Sequence, residues 1–372
     1  MKKLLGIGLF LVLALTTTAC LILFARGYRI NFKERSLEAT GIVIIKSKPS
    51  DAQVSINNES KGTTDLDITN LKPGKYTIKI TKEGFSSWSK EVEVIKEGVN
   101  LIEASLFPIS PNLSSLTYSG VSNPLSSPDM KRIIFSVSSA SDNTQNGIWS
   151  LDLVNRPTLI FFSSEDLIKI ASDTKDIYFS KSSYEFSPNG KQILVKTDNP
   201  LKYFLLDPSK ENKSPKEITS SFEKIKEGWN KTADSESKKH LKNLGKEAEA
   251  TAVDLTSLIF SPDKTKFIGT RTDNSVFIFN GKPNPPKQNP ETFLLPASNR
   301  YIWHSDNKHV ILVNKDLISV IEIDGTNNTP IYTGIFDPNF VIPWPDGSKI
   351  IIVNNLNSAT NKLPNLYAIE LH

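Results

Sequence analysis

The sequence predicts an all-β protein in which an N-terminal transmembrane helix is followed by a small β-sandwich and by a five- or six-bladed β-propeller with a helical insertion. Three observations support this fold class. The chain begins with a long uncharged apolar run, short stretches of alternating apolar and polar residues fill positions 39–108, and one turn motif recurs from position 111 to the C-terminus.

Length and composition indicate a globular protein of more than one domain. At about 100 to 200 residues per domain, 372 residues accommodate two or three domains. The 38% hydrophobic and 23% charged residues, with 22 Pro and 18 Gly, exclude disorder, collagen and coiled coil as the main class. A net charge of +4 is too small to predict nucleic-acid binding, and a single Cys excludes a disulfide framework or a thiolate zinc cluster within one chain.

The N-terminal segment, residues 1–29, is predicted to be a membrane anchor. The run from Leu4 to Phe24 contains no charge, and a helix of this length spans the roughly 30 Å hydrocarbon core at about 1.5 Å per residue. Lys2 precedes the run and Tyr28 follows it, at positions where amphipathic side chains meet the membrane surface. These features favour an uncleaved signal anchor.

Two alternatives to a simple anchor stay open. A cleaved signal peptide shares the charged start and the apolar run, although its apolar region usually has only about 7 to 15 residues. Thr17-Thr18-Ala19-Cys20 also resembles a degenerate bacterial lipobox, in which Cys20 would carry lipid. The apolar residues that follow Cys20 favour a cysteine inside a membrane helix instead.

The orientation in the membrane is predicted with the N-terminus inside and everything after Arg29 outside. The flanking charges alone argue the reverse, because Lys2 and Lys3 face four basic residues between Arg26 and Arg35. Long domains translocate largely regardless of charge, and the resemblance described below belongs mostly to extracytoplasmic domains, so this count does not decide. We therefore expect a single-pass protein of the cell membrane with extracytoplasmic domains.

After a linker at 30–38, residues 39–108 are predicted to form a small antiparallel β-sandwich. The predicted strands lie at 41–45, 53–57, 76–80, 92–94 and 99–102. Pro73-Gly74 and Glu83-Gly84 supply turns between them, and Asp51 lies where a hairpin needs an Asx turn or positive φ.

Four segments of this region, in order, resemble the PEGA domain: Ser47–Ile56, Lys61–Thr64, Leu71–Ile78 and Lys82–Phe85. The sequence departs from that family at its namesake tetrapeptide, here Pro49-Ser50-Asp51-Ala52, and at Asp65, where the family usually has Pro. The resemblance implies either a module that binds peptidoglycan or another surface polymer, or a spacer that carries the next domain away from the membrane. We favour the spacer.

The segment 111–372 contains a repeated turn motif. Its copies are Ser127-Pro128-Asp129-Met130-Lys131, Phe186-Ser187-Pro188-Asn189-Gly190-Lys191, Phe260-Ser261-Pro262-Asp263-Lys264, Trp303-His304-Ser305-Asp306-Asn307-Lys308 and Trp344-Pro345-Asp346-Gly347-Ser348-Lys349. Each precedes a β-rich run, and Pro, Asp and Gly at these positions favour a tight turn. The motif therefore predicts a repeated strand-turn-strand unit.

The spacing of the repeats predicts propeller blades. The last two intervals, 306−263 = 43 and 346−306 = 40, match a blade of about 40 to 45 residues. The interval of 189−129 = 60 is long enough for a loop around 138–147 or a degenerate blade near 173–180, which leaves five or six blades. The interval of 263−189 = 74 contains a helical insertion at about 216–252. This region resembles WD40-like or TolB-like β-propeller repeats.

No catalytic, cofactor-binding or metal-binding residue is predicted. His240, His304, His309 and His372 lack the spacing of a zinc motif, and the chain has no nucleophile elbow or phosphate-binding loop. Asp152 and Asp207 are candidate metal ligands only as isolated carboxylates. The Lys and Glu residues of the insertion predict a solvated helix face, whereas Trp229 either packs the insertion onto the propeller or anchors a partner.

The sequence thus predicts a cell-surface binding or scaffolding protein without enzymatic activity. A PEGA spacer would present a propeller that recognises an envelope protein or glycan, with no role for nucleic acid. The alternatives are a hydrolase or lyase that acts on envelope polysaccharide through acidic residues in the propeller funnel, and a purely structural envelope protein. A convergence of Asp, Glu or His side chains on one propeller face would favour the enzyme.

Overall fold

The computed structural model describes residues 2–25, 28–31, 36–138, 143–154, 167–282, 289–356 and 363–371. The chain divides into two compact units, Met1–Ile109 with His372, and Ser110–Leu371. Each unit is described by itself.

The first unit begins with helix α1, Lys2–Ala25. Its segment Gly6–Phe24 is long and apolar enough to cross a membrane, with a mean hydropathy of 2.5 and no share buried within the protein. A short antiparallel hairpin follows, formed by β1 (Tyr28–Asn31) and β2 (Ser36–Ala39), in which Tyr28 pairs with Ala39. The segment predicted to be a linker therefore contains paired strands.

The rest of the first unit is a sandwich of a three-stranded and a four-stranded sheet. Its strands are β3 (Gly41–Lys48), β4 (Gln53–Ile56), β5 (Glu59–Thr63), β6 (Leu66–Leu71), β7 (Gly74–Thr81), β8 (Trp88–Val94) and β9 (Val99–Ser105). The sheet orders are β6-β3-β9 and β5-β4-β7-β8. The predicted sandwich is confirmed, but not as purely antiparallel, because β3 and β9 pair in parallel.

Apolar and polar residues alternate along these strands, and the apolar ones form the core of the sandwich. Val43 and Ile45 on β3, Val54 on β4 and Ile78 and Ile80 on β7 are at most 1% exposed and pack together. Asp51 has a φ of 57°, as its predicted turn requires.

The second unit is a propeller of five four-stranded sheets, which we number as blades 1 to 5. Blade 1 contains β11 (Ser122–Ser126), β12 (Arg132–Val137), β13 (Gly147–Asp152) and β14 (Leu167–Ser172), and blade 2 contains β15 (Ser183–Phe186), β16 (Ile193–Asp198), β17 (Leu201–Leu206) and β18 (Lys216–Glu217). Blade 3 contains β19 (Leu255–Phe260), β20 (Lys266–Arg271), β21 (Val276–Asn280) and β22 (Glu291–Leu294), and blade 4 contains β23 (Arg300–Trp303), β24 (His309–Val313), β25 (Leu317–Glu322) and β26 (Thr329–Thr333).

Blade 5 joins both ends of the second unit. It contains β27 (Val341–Pro343), β28 (Lys349–Asn354) and β29 (Asn365–Glu370), and its outermost strand is β10 (Leu113–Ser115), which precedes blade 1 in the chain. Asn365 supports this closure, because its side-chain oxygen accepts hydrogen bonds from Thr117 Oγ1 and from Gly120 N, each at 3.1 Å. The ring is therefore closed by pairing strands from opposite ends of the unit.

Most neighbouring blades pack directly through apolar faces. Ile133 and Phe135 of blade 1 pack with Ile351 and Val353 of blade 5. Similar cores join blade 1 to blade 2 and blade 3 to blade 4. Of the predicted five or six blades, the described residues form five. The alternative of a degenerate blade near 173–180 is not formed, because the connection between blades 1 and 2 contains the 3-10 turn Phe179–Lys181 instead. Residues 139–142 of the alternative loop lie outside the described residues.

The predicted helical insertion is confirmed as α2 (Phe222–Leu244) and α3 (Lys246–Thr251), between blades 2 and 3. Phe222 stacks on Tyr203 of blade 2, with ring centroids 3.9 Å apart, and Lys226 forms a salt bridge with Glu185 of the same blade. Ala248, which is fully buried, packs against phenylalanines of blade 3. The insertion therefore contacts both blades with different parts of its length.

Candidate binding face of the propeller

The repeated motif forms the turn between the first and second strands of each blade. In blades 1 to 3 the hydroxyl of Ser127, Ser187 or Ser261 donates to the Asp or Asn two positions later, at 2.6, 2.9 and 2.6 Å. The same hydroxyl accepts the backbone N–H five positions later, at 3.0 Å in each case. The motif recurs because one hydrogen-bonded turn is built repeatedly.

In each turn the residue after the Asp or Asn adopts a left-handed backbone conformation, which favours Gly and Asn but is also adopted here by Met130 and Lys264. Met130, Gly190, Lys264, Asn307 and Gly347 have φ values of 58°, 69°, 60°, 60° and 75°. Because first strands run in the same direction in every blade, all these turns lie at one end of the propeller. We call this the turn end.

In blade 4, His304 takes the place of the serine. Its Nδ1 lies 3.1 Å from Asp306 Oδ1, and its Nε2 donates to Gly347 O in the next blade at 3.1 Å. His309 Nδ1 donates to Asp306 Oδ2 at 2.6 Å. Asp306 Oδ1 also accepts from the backbone N–H groups of Lys308, at 2.8 Å, and His309, at 3.1 Å.

These three side chains form the one group of His, Cys, Asp and Glu among the described residues whose atoms lie close enough to hold a metal ion, within 4.8 Å. Both imidazoles are nearly fully buried and both carboxylate oxygens already accept hydrogen bonds. Burial opposes ionisation of Asp306, but hydrogen bonds from His304 and His309 outweigh it and hold the pKa of that carboxyl well below its usual range. The two imidazoles and the carboxylate are thus tied into the turn by hydrogen bonds.

Hydrogen bonds also join neighbouring turns. Asn307 Oδ1 of blade 4 accepts from Asp263 N of blade 3 at 2.9 Å, and Ser305 Oγ donates to Trp344 O of blade 5 at 2.6 Å. The backbone and side-chain polar groups of these turns are thus largely occupied by one another.

The opposite end of the propeller exposes large apolar side chains. By topology it carries the connections between the second and third strands and those between successive blades, and we call it the loop end. Six residues of these connections and their boundaries, each between 48% and 86% exposed, form what we call the apolar rim: Tyr118, Tyr178, Leu201, Val253, Ile335 and Leu356.

The apolar rim is specific to the loop end. Among the described residues of the turn end, only Val154 is a comparably exposed large apolar side chain, at 48%. Of the other exposed large apolar residues described in this unit, Ile259 lies within β19, and Leu294 is the last residue of β22, where the chain leaves blade 3 at the loop end. Scattered exposed apolar residues are ordinary, and here six of them belong to connections at one end of the propeller.

Of the residues singled out in the sequence, His304 and His309 meet at Asp306, whereas Asp152, Asp207 and His240 lie elsewhere. Asp152 forms a salt bridge with Arg132 at 2.8 Å, and Asp207 Oδ1 accepts from the backbone and hydroxyl of Ser209 in its own turn. His240 contacts the edge of Phe260 in blade 3. Trp229 is half-buried on α2, and His372 lies outside the described residues.

Sequence reasoning missed both the hydrogen-bonded turn of blade 4 that contains His304, Asp306 and His309, which we call the histidine turn, and the apolar rim. Only the alignment of the motif copies, with His304 at the serine position, signals the former. The rim has no sequence pattern, because its members are single residues in unrelated loops.

Comparison with known proteins identifies a family within the first unit. Residues 40–106 match the PEGA domain. The resemblance carried by the four sequence segments is therefore confirmed, and the matched residues cover the sandwich of β3 to β9. Comparison with curated proteins finds no match.

Among solved structures, the chain is similar to a protein described as TolB from Agrobacterium tumefaciens, with 14% identity over 66% of this chain and 70% of that chain and a TM-score of 0.23. It is also similar to TolB from Acinetobacter baumannii, with 13% identity over 79% of this chain and 59% of that chain and a TM-score of 0.24. Five four-stranded sheets and the pairing of β10 with β29 define the propeller.

Proposed function

We propose that the protein is a membrane-anchored binding protein, in which the PEGA domain is a spacer and the apolar rim of the propeller recognises a protein of the cell envelope. The observation that carries this proposal is the difference between the two ends of the propeller. The turn end is polar and internally hydrogen-bonded, whereas the loop end exposes six large apolar side chains from separate connections.

The chemistry of the rim favours a protein partner over a glycan. Exposed Tyr, Leu, Ile and Val side chains contribute to protein interfaces by leaving water, and aromatic residues are frequent at the centres of such interfaces. Tyr118 and Tyr178 supply the aromatic groups and Ile335 the most exposed aliphatic one. A glycan would be favoured instead if binding survived proteolysis of the envelope.

The apolar helix and the PEGA match support the proposed location. Helix α1 is long enough to cross a bilayer with its N-terminus inside, although the flanking charges alone argue for the reverse orientation. The PEGA domain and the propeller would then lie outside the cell membrane, with the chain held by a single pass.

The acidic residues singled out in the sequence are engaged in local contacts, which favours binding over the alternative of a polysaccharide hydrolase or lyase. Such chemistry needs a pair of carboxyl groups facing one another across a substrate. Asp152 is paired with Arg132 and Asp207 is bound within its turn. The close group at His304, Asp306 and His309 is held in a turn by its own hydrogen bonds.

Capture of envelope proteins by the full chain in detergent tests the proposal. Replacing Tyr118 and Ile335 together (Y118S/I335D) is expected to reduce recovery of the specific partner at least tenfold, because a charge is placed in an apolar contact. The matched control is V154D, which places the same charge on an exposed apolar residue at the turn end and should leave recovery within about twofold. Equal losses in both variants would contradict a role for the rim.

A single-cysteine experiment tests the orientation. In a C20S background, S235C places a thiol on the exposed part of α2. A membrane-impermeant maleimide should label this thiol in intact cells as fully as in lysed cells. Labelling only after lysis would place the propeller in the cytoplasm.

A further inference from the structure

The turn between the last two strands of the PEGA domain lies beside the residues that leave α1. This turn, which we call the 95–98 turn, contains Ile95, Lys96, Glu97 and Gly98. Tyr28 Oη donates to Glu97 Oε1 at 2.9 Å, and Lys96 Nζ lies 5.3 Å from the centroid of the Tyr28 ring.

Backbone hydrogen bonds hold the turn against the start of β3. Glu97 N donates to Thr40 O at 3.1 Å, and Ile42 N donates to Gly98 O at 2.9 Å. The turn is therefore fixed to the end of the domain at which the chain enters from the β1–β2 hairpin.

The distance from this turn to the membrane is limited by the chain. α1 ends at Ala25, and Tyr28 follows three residues later. Three residues of extended chain span at most about 11 Å. The interfacial region extends several ångströms beyond the hydrocarbon core on each side. If α1 spans the bilayer, the 95–98 turn lies at or near the headgroups.

The same end of the domain exposes apolar side chains on an edge strand. Val99 and Leu101 are 61% and 57% exposed, on the outer face of β9, whereas Ile102 and Ala104 on the other face belong to the core. In the described residues, β9 pairs only with β3, so its other edge is unpaired in the sheet. Ile95 adds a third exposed apolar side chain within the turn, at 39%.

Further along the same outer face, the polarity changes. Glu103 follows Leu101 by two residues and is exposed and charged. Two residues of strand correspond to about 6.6 Å. The outer face of β9 is thus apolar at the end nearest α1 and charged about 13 Å from Val99. This gradient matches a surface that enters the membrane interface at one end only.

We propose that the 95–98 turn and the first residues of β9 form a second membrane contact, in which Ile95, Val99 and Leu101 lie in the headgroup region of the bilayer and Lys96 meets lipid phosphates. This proposal rests on the proposed function, because it requires α1 to be an uncleaved anchor. Tyr28 and Lys96 have the chemistry of interfacial residues, an amphipathic ring and a long cationic side chain. The contact orients the PEGA domain on the membrane instead of leaving it to swing on the anchor.

Site-directed spin labelling of the full-length chain tests this contact. In a C20S background, V99C, L101C and E103C are each labelled with a nitroxide and reconstituted into phosphatidylcholine vesicles with 30% phosphatidylglycerol. Collision with oxygen, which partitions into lipid, is compared with collision with a water-soluble nickel chelate. Position 103 is the matched control, on the same face of the same strand.

The expected result is a graded exposure. The ratio of oxygen to nickel accessibility should be at least threefold higher at position 99 than at position 103, with position 101 between them. Flotation of the same vesicles measures anchoring by α1 independently. Protein that floats with equal aqueous accessibility at all three positions would overturn the contact and leave the anchor intact, whereas protein that does not float would overturn both.

A second copy of the chain is the competing occupant of this surface. In that case the label at position 99 would be protected from both oxygen and nickel, and spin-spin broadening between copies would disappear on dilution with unlabelled protein. This outcome would also overturn the membrane contact.

Discussion

Replacement of Asp306 by alanine is expected to destabilise the propeller more than the same change at the equivalent position of the next blade. Asp306 accepts two backbone N–H groups and lies within 3.1 Å of two imidazole nitrogens, and its side chain is 29% exposed. Hydrogen bonds to a charged group contribute about 1.5 to 3 kcal/mol each when buried, and a partly exposed group contributes less. We expect D306A to lower the free energy of unfolding by about 3 kcal/mol.

Asp346 is the matched control, because it occupies the same turn position in blade 5. It accepts only from the backbone and the hydroxyl of Ser348, at 2.8 and 2.6 Å, and is exposed. We expect D346A to cost about 1 kcal/mol. For a domain of this size, 1 kcal/mol shifts the melting temperature by about 2 to 4 °C.

The assay is thermal unfolding of the full chain in detergent at pH 7, followed by tryptophan fluorescence at one scan rate. Trp303 precedes His304 and is almost fully buried, so blade 4 has its own reporter. D306A should lower the melting temperature by about 6 to 12 °C and D346A by about 2 to 4 °C. Equal shifts would refute the view that the histidine turn is more strongly stabilised than its neighbours.

Three further predictions concern closure, the insertion and pH. N365A should lower the free energy of unfolding in urea titrations by about 2 to 3 kcal/mol, because two hydrogen bonds at the ring closure lose their buried acceptor. N112A is the control: Asn112 is exposed, and its replacement should change the free energy of unfolding by less than about 0.5 kcal/mol. A248D places a charge in the buried contact with blade 3 and should speed tryptic cleavage within α2 about tenfold or more. A250D places the same charge on the exposed side of α3 and should leave the cleavage rate unchanged. The folded-state pKa of Asp306 lies below the unfolded value of about 3.9, so the stabilisation by its ionised carboxylate is complete above that pH and is lost as the pH falls. The difference in melting temperature between D306N and the native chain should therefore persist from pH 8 to pH 5 and shrink below about pH 4.

The local elements of this fold could be predicted from the sequence because their signals are local. Alternation at 76–80 predicted the middle of β7, and the repeated motif marked the first turn of every blade. Each signal depends on residues that are close together in the chain. Hydrogen bonds within the turn, such as that of Ser261 with Asp263, explain why the motif is recognisable.

The long-range features could not be predicted in the same way. β10 pairs with β29 across more than 240 residues, and nothing in Leu113–Ser115 signals that partner. The parallel pairing of β3 with β9 was missed for the same reason. The apolar rim depends on which loops share an end of the propeller, so it follows from topology once the blades have been assigned.

Closure through β10 and β29 also has a consequence for how the protein is made. Blades 1 to 4 can be synthesised and begin to pair in order, but blade 5 lacks its third strand until β29 has been synthesised, close to the end of this sequence. Until then the strand Leu113–Ser115 has no partner and the apolar faces of blades 1 and 5 are uncovered. The ring can therefore close only after Asn365–Glu370 has been synthesised, and a chain truncated before Asn365 is expected to leave Leu113–Ser115 unpaired.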